Sequence, residues 1–243
     1  MAIWNPWKGC HRKSEGCQHC YIHRANEKKG INTDIIYKTE EFHKPVQKDK
    51  KGNYKVKGGQ TVYICFNSDF LIEEADEWRK EAWEMIIERR DLNFLFITKR
   101  IERFKLGFPE YIQNDLDNVT VCISVENQQR ADERIPFLKE LPIKHKMIII
   151  QPMLEKIDIS DYLDNTIESV VVGGESGSNV RPLYYDWVLD IKEQCIKKNV
   201  NFDFRQVGST FIKDGVTYKV QRQYLCAQAR KAGINFRAEN NII

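Results

Sequence analysis

Three cysteines fall within eleven residues near the N-terminus, in Gly9-Cys10-His11-Arg12-Lys13-Ser14-Glu15-Gly16-Cys17-Gln18-His19-Cys20-Tyr21. Six residues separate the first two and two separate the second pair. Glycine precedes both Cys10 and Cys17, so the backbone can fold tightly about something that both thiolates touch. Soft thiolates on one loop suit an iron–sulfur cluster or zinc. A structural zinc site is normally closed by four protein ligands, and no fourth ligand is obvious here. Three cysteines on a cluster leave one iron open for chemistry. Zinc completed by His11, His19 or His23 is the competing metal reading. A redox pair at Cys17 and Cys20 explains neither Cys10 nor the glycines. A disulfide staple fits poorly with an odd total of seven cysteines, and with Cys65 and Cys122 inside apolar runs.

A second set of polar residues recurs at the ends of short apolar runs. Asn67-Ser68-Asp69 follows the run 61–66, and Thr98-Lys99-Arg100 follows 94–97. Ser124-Val125-Glu126-Asn127 follows 119–123, Gln151-Pro152 follows 147–150, Gly173-Gly174-Glu175-Ser176-Gly177 follows 169–172, and Arg205-Gln206 follows 201–204. One such cluster would be an ordinary helix cap. Six in succession point to a shared polar mouth.

The elements that must position these groups alternate. The apolar runs read as strands, and amphipathic helices are expected at Tyr21–Lys29, Glu73–Arg90 (with Trp78, Ala82, Met85 and Ile86 on its buried face), through Arg134 and Leu138, through Trp187 and Cys195, and from Gln223 to Lys231. Near-continuous apolar strands alternating with helices indicate an α/β fold, a partial (β/α) barrel of parallel strands. Active sites of such barrels lie at the carboxyl ends of the strands, where the polar clusters gather. We expect a single domain over 1–243, with a cluster-binding loop at 8–21, a polar excursion at 31–60 and a C-terminal extension at 209–243 that opens on a hairpin turn, Lys213-Asp214-Gly215-Val216.

A net charge of +3 is too small to imply nucleic acid by itself. The basic stretch 44–57 reads as a solvated loop or hairpin, with a phosphate-contacting arm as the minority reading. The opening Met1-Ala2-Ile3-Trp4 lacks the regions of a signal peptide, and no apolar run reaches membrane-spanning length. The expected compartment is the cytoplasm, where thiols stay reduced.

A cysteine loop after the first short strand, followed by a β/α barrel, resembles the radical S-adenosylmethionine (SAM) superfamily. That superfamily usually has three residues, not six, between the first two cysteines, and an aromatic where this chain has His19. More closely, the chain resembles an uncharacterised family of phage and bacterial three-Cys-motif proteins. The matching motifs are Trp4-Asn5-Pro6, Gly9-Cys10, Ser14, Gly16-Cys17, Cys20-Tyr21, Thr98-Lys99-Arg100, Ser124-Val125-Glu126-Asn127, Gly173 to Gly177 with Arg181-Pro182, and Arg205-Gln206-Val207-Gly208. Two positions depart from that family: Gln151 stands where it tends to carry glutamate, and Arg205 where it tends to carry lysine.

The resemblance implies a radical SAM enzyme whose Cys10, Cys17 and Cys20 hold a 4Fe–4S cluster, with SAM on the open iron and an electron donor such as flavodoxin or ferredoxin. It implies SAM contacts from Asn67, Ser68, Asp69, Arg100, Ser124, Gln151, Gly173, Gly174, Arg205 and Gln206. Lys99, Glu126 and Glu175 are the candidates for catalytic roles. Trp4 and Trp7 read as core or lid aromatics before stacking platforms. With Lys8, Arg12, Lys13, His23 and Arg24 nearby, they are the hint toward a nucleotide or nucleic-acid substrate. The reading from another class is a zinc- or cluster-stabilised nucleic-acid-binding module without catalysis.

Overall fold

A computed structural model describes residues 2–112 and 116–239. Seven strands form one sheet: β1 (Ala2–Trp4), β2 (Thr61–Ile64), β3 (Asn93–Thr98), β4 (Val119–Ser124), β5 (His145–Ile150), β6 (Ser169–Gly173) and β7 (Asn201–Gln206). Each lies beside its predecessor, the strand order of a partial (β/α) barrel. The β1–β2, β2–β3, β5–β6 and β6–β7 pairings are parallel. Every residue of β6 is buried, as its unbroken apolar run requires of a strand covered on both faces. The helices are α1 (Tyr21–Glu27), α2 (Asp76–Glu88), α3 (Gln128–Lys139), α4 (Tyr185–Lys197) and α5 (Leu225–Ala232). Among the described residues, no helix is long and apolar enough to cross a membrane.

The chain divides into two compact units. One comprises Met1–Lys13, Cys20–Cys122 and Leu141–His145; the other comprises Ser14–His19, Ile123–Glu140 and Lys146–Ile243.

In the first unit α2 is shorter than its periodicity predicts, because a 3-10 turn at Glu73–Ala75 precedes it. Its fully buried tryptophan is Trp83, not Trp78. The Trp83 ring meets Phe70, Phe96 and Phe104 edge-on. Arg79, on the same helix, is also fully buried, and its guanidinium donates to the carbonyls of Phe70, Ile72 and Leu106. That satisfies backbone acceptors which a hydrophobic side chain would leave unpaired. Trp4 and Trp7 are core residues: both are fully buried, donating from Nε1 to the carbonyls of Phe42 (2.9 Å) and Asp69 (3.1 Å). Trp7 stacks on Phe70 at 5.4 Å, so neither indole is a platform for a ligand. In the excursion, Tyr37–Lys38 pairs antiparallel with Trp7–Lys8.

In the second unit a three-stranded sheet joins Leu183–Tyr184, Thr210–Lys213 and Val216–Lys219, and the expected hairpin forms at Asp214-Gly215. Beyond α5, Phe236 exchanges two backbone hydrogen bonds with Phe202 of β7, each 3.0 Å. Residues 240–243 of the C-terminal extension lie outside the described residues.

Candidate functional site

In the first unit, the segment carrying Cys10 is held from several sides. Gly9 has φ +91°, and a Cβ there would sit 2.3 Å from the Ile35 carbonyl oxygen, so only glycine fits. The Cys10 amide donates to Thr33 O at 2.8 Å, the Ser68 hydroxyl donates to Gly9 O, and Arg100 Nη2 donates to His11 O at 3.2 Å. His11 is itself engaged by two carboxylates, Glu74 at 2.6 Å and Asp34 at 3.6 Å. The Glu74 hydrogen bond, against the opposing effect of burial, raises its pKa. Cys20 caps α1.

Asp69, at the end of β2, is the hub that ties β2 to β3. Its carboxylate accepts from the Thr98 hydroxyl (2.7 Å), the Lys99 amide (3.0 Å), the Leu71 amide (2.9 Å) and Arg100 Nη1 (3.3 Å). Arg100 is 3% exposed and also reaches Glu73 at 3.2 Å. Burial opposes its charge, but Asp69 and the other anions facing it raise its pKa. Lys99 is half-buried, and Asn67 is exposed, its amide donating to Asn5 Oδ1. Asn67 also borders a cleft of about 270 Å³ lined by Lys8, Gly9, Tyr21, Asn26 and Tyr37.

In the second unit, the segment carrying Cys17 is anchored to the ends of β4 and β6. Ser14 donates to Glu126 Oε1 at 2.6 Å. Glu126 is fully buried, and its other oxygen accepts from Arg134 Nη1 at 2.9 Å. The same nitrogen donates to Ser124 O at 2.7 Å. A Cβ on Gly16 would lie 2.4 Å from Glu126, so the glycine is what lets the loop seat on the carboxylate. Glu15 receives a two-pronged hydrogen bond from Arg130, at 2.9 and 3.1 Å, which holds its carboxyl down at about 2. Asn127 caps α3 by accepting from the Arg130 amide, so this helix start presents Arg130 and Arg134 one turn apart. Arg181 donates to Glu15 O at 3.0 Å and pairs with both oxygens of the nearly buried Glu175.

The close approach that Gly174 permits is to the chain itself. A Cβ there would meet Gly208 Cα at 2.8 Å, and one on Gly173 would meet Gln151 Cδ at 3.0 Å. Gln206 donates to Gly174 O at 2.6 Å. Arg205 sits at a register shift in β7 and is exposed.

Sequence reasoning missed Arg130 and Arg134 and gave Ser14 and Glu15 no role. The signal was available as an Arg-x3-Arg pair just after the capping Asn127, which puts both guanidiniums on one helix face.

The donor set fits a thiolate-bound metal group in kind. None of Cys10, Cys17 and Cys20 is in a disulfide, and Cys10 and Cys20 are partly accessible. By contrast, burial raises the Cys65 thiol well above its ordinary value and pushes that of Cys195 up to about 12, which keeps both protonated and inert. Cys10 and Cys20 belong to the first unit and Cys17 to the second. Among the described residues, no three His, Cys, Asp or Glu side chains are already gathered around a metal position. The fit therefore rests on thiol chemistry and anchored loops.

A family model described as "Protein of unknown function (DUF5131)" matches residues 1–234. Among curated proteins, none matches the sequence. A solved structure of a spore photoproduct lyase mutant with bound AdoMet and a dinucleoside spore photoproduct is loosely similar. The TM-score is 0.45 and the identity 13%, over 95% of this chain and 70% of that one.

Proposed function

The chain belongs to the DUF5131 family, whose description assigns no activity, so the residues must supply one, and we propose that it is a radical SAM enzyme. The observation that carries this reading is the cysteine loop, whose Ser14–Glu126 and Glu15–Arg130 bonds fasten it to residues at a strand end and a helix start. A loop that only filled surface would not need a fully buried carboxylate beneath it. Cys10, Cys17 and Cys20 would hold the cluster through thiolates. Such a cluster, with SAM on its open iron, supplies reductive cleavage of SAM and the removal of a hydrogen atom from a substrate.

Within this reading the residues divide by what they touch. Glu126, Arg130 and Arg134 are positioning residues: Glu126 holds Ser14, Arg130 holds Glu15, and Arg134 holds Glu126. Glu175 with Arg181 extends that grip to Glu15. Arg100 and Asp69 do the same for the Cys10 segment. Lys99, Asn67 and Gln151 remain as candidates for contact with SAM or substrate, with Asn67 at the edge of the cleft. An electron donor of the flavodoxin or ferredoxin kind belongs to the same proposal, as does a cytoplasmic setting.

Anaerobic reconstitution with iron and sulfide, reduction and addition of SAM tests the reading, with Cys17→Ala as control. About four irons per chain, with 5′-deoxyadenosine that disappears in the control, is the expected result. Tightly held zinc and no SAM cleavage would overturn it in favour of a structural metal site.

A further inference from the structure

Charge is distributed unevenly along the chain. Residues 205–237 carry seven Lys or Arg against one Asp, a net of +6, whereas the whole chain carries +3, leaving −3 for everything else. Six of these seven cations, Arg205, Lys213, Lys219, Arg222, Arg230 and Lys231, are exposed and make no ion pair with a carboxylate among the described residues. Only Arg237 is compensated, by Asp203 at 2.7 Å. Elsewhere in this unit, Arg130, Arg134, Lys139, Lys156 and Arg181 have carboxylate partners, and among the described residues Lys146, Lys192, Lys197 and Lys198 make no such pair.

The hairpin at the centre of this segment also exposes ring surface. Register places Leu183, Phe211 and Tyr218 in one row, with the first two buried and Tyr218 47% exposed at its outer end. On the opposite face Tyr184, Ile212 and Thr217 form a row, flanked by Lys219. Strand Val216–Lys219 is exposed along its whole length, and Tyr224 follows, 49% exposed beside Arg222. Lys213 lies over the Tyr185 ring at 5.1 Å and Lys219 donates to the Thr210 hydroxyl at 2.9 Å, so among the described residues neither charge is neutralised by a carboxylate. Cations without a counter-ion next to half-exposed tyrosines are what a polyanion with stackable rings requires.

We propose that the Thr210–Lys219 hairpin and the Arg222–Tyr224 turn bind single-stranded nucleic acid. Lys213, Lys219 and Arg222 meet the phosphates, and Tyr218 and Tyr224 stack on bases. The surface goes beyond the radical SAM reading and depends on neither iron nor SAM. The other lysine-rich stretch, 44–57, is the internal comparison. It carries a net +5, but its one aromatic, Tyr54, is occupied, donating to Glu88 and lying under Arg89 and Lys48.

The test is fluorescence anisotropy on the full chain, prepared without metal, with labelled oligothymidylate and oligouridylate of about 20 nucleotides, enough to span one site of this kind. Matched duplex and vesicles containing phosphatidylserine are the competitors. Binding that weakens steeply with salt is expected. Lys213→Gln/Lys219→Gln/Arg222→Gln should bind about tenfold more weakly, with a salt slope less negative by about two. Tyr218→Ala/Tyr224→Ala should bind about tenfold more weakly at an unchanged slope. Far-UV circular dichroism checks each fold, and single Arg222→Gln and Tyr218→Ala variants replace any combination that fails to fold. The proposal is overturned by no binding, by duplex or vesicles holding the protein as well as the single strand does, or by loss in Lys50→Gln/Lys51→Gln/Lys55→Gln instead. Preference between the two oligonucleotides identifies the sugar, and either preference supports the surface.

Discussion

Ser14 and Glu126 are 112 residues apart in the chain and meet at 2.6 Å, hydroxyl to carboxylate. Glu126 is wholly out of water, so this bond and the one from Arg134 are what make its charge tolerable there. Removing the charge should be felt twice. Glu126→Gln leaves Arg134 buried without its counter-ion and is expected to cost about 3–5 kcal/mol in urea unfolding. A Glu126→Leu/Arg134→Met double variant should recover most of that stability while still losing iron from reconstituted protein. Iron retention equal to wild type in the double variant would show that the carboxylate does not position the loop.

The glycine before Cys10 makes a separate prediction. Gly9→Ala must move the Ile35 carbonyl as well as accept φ +91°, whereas Gly52→Ala meets only its own positive φ of +83°, with open space around it. Gly52→Ala should cost about 1 kcal/mol, the usual backbone penalty. Gly9→Ala should cost clearly more, read as a larger drop in Tm. Equal drops would mean that the 2.3 Å approach relaxes freely.

Thiol accessibility orders the cysteines. Iodoacetamide followed by peptide mass spectrometry should label the exposed Cys226 first and Cys10 and Cys20 next. Cys65, Cys122 and Cys195 should react only after unfolding. Reconstitution with iron and sulfide should protect the accessible Cys10 and Cys20 together and leave Cys226 reactive. Continued labelling of either Cys10 or Cys20 would remove it from the ligand set.

Asp164 gives a pH prediction. Burial alone would raise its pKa, but the hydrogen bonds from Lys139 and Thr166 outweigh this and hold it at about 2. A carboxyl depressed on folding stabilises the protein above its unfolded pKa of about 4, and that contribution is lost as pH falls toward 2. Urea midpoints of wild type and Asp164→Asn should therefore differ at neutral pH and converge on acidification. The pair is partly exposed, so the gap should be small and should shrink further in high salt.

Much of the framework was legible because its signals are local. The runs around Val121, Ile148 and Val171 are apolar enough to be strands wherever they pack, and the alternation with helices fixed the α/β class. The Lys213 to Val216 turn declared itself through Asp214-Gly215, both at positive φ. What escaped depends on distant partners. Nothing near Trp83 distinguishes it from Trp78 until Phe70, Phe96 and Phe104 are in place. Arg79 looks like a surface charge on a polar helix, yet it feeds backbone carbonyls from inside the core. Gly174 and Gly208 look like separate loop glycines, and each is needed because the other is there.

The two hydrogen bonds between Phe202 and Phe236 have a consequence for the molecule in a crowded solution. β7 ends the order of the seven-stranded sheet, and an open strand edge is a template on which a second chain can add. Phe236 pairs with Phe202 there, the Asn235 side chain accepts from the Phe204 amide, and Arg237 sits on Asp203. The chain thus pairs its own sheet edge at Phe202, and shortening it before Asn235 is expected to open that edge to a second chain.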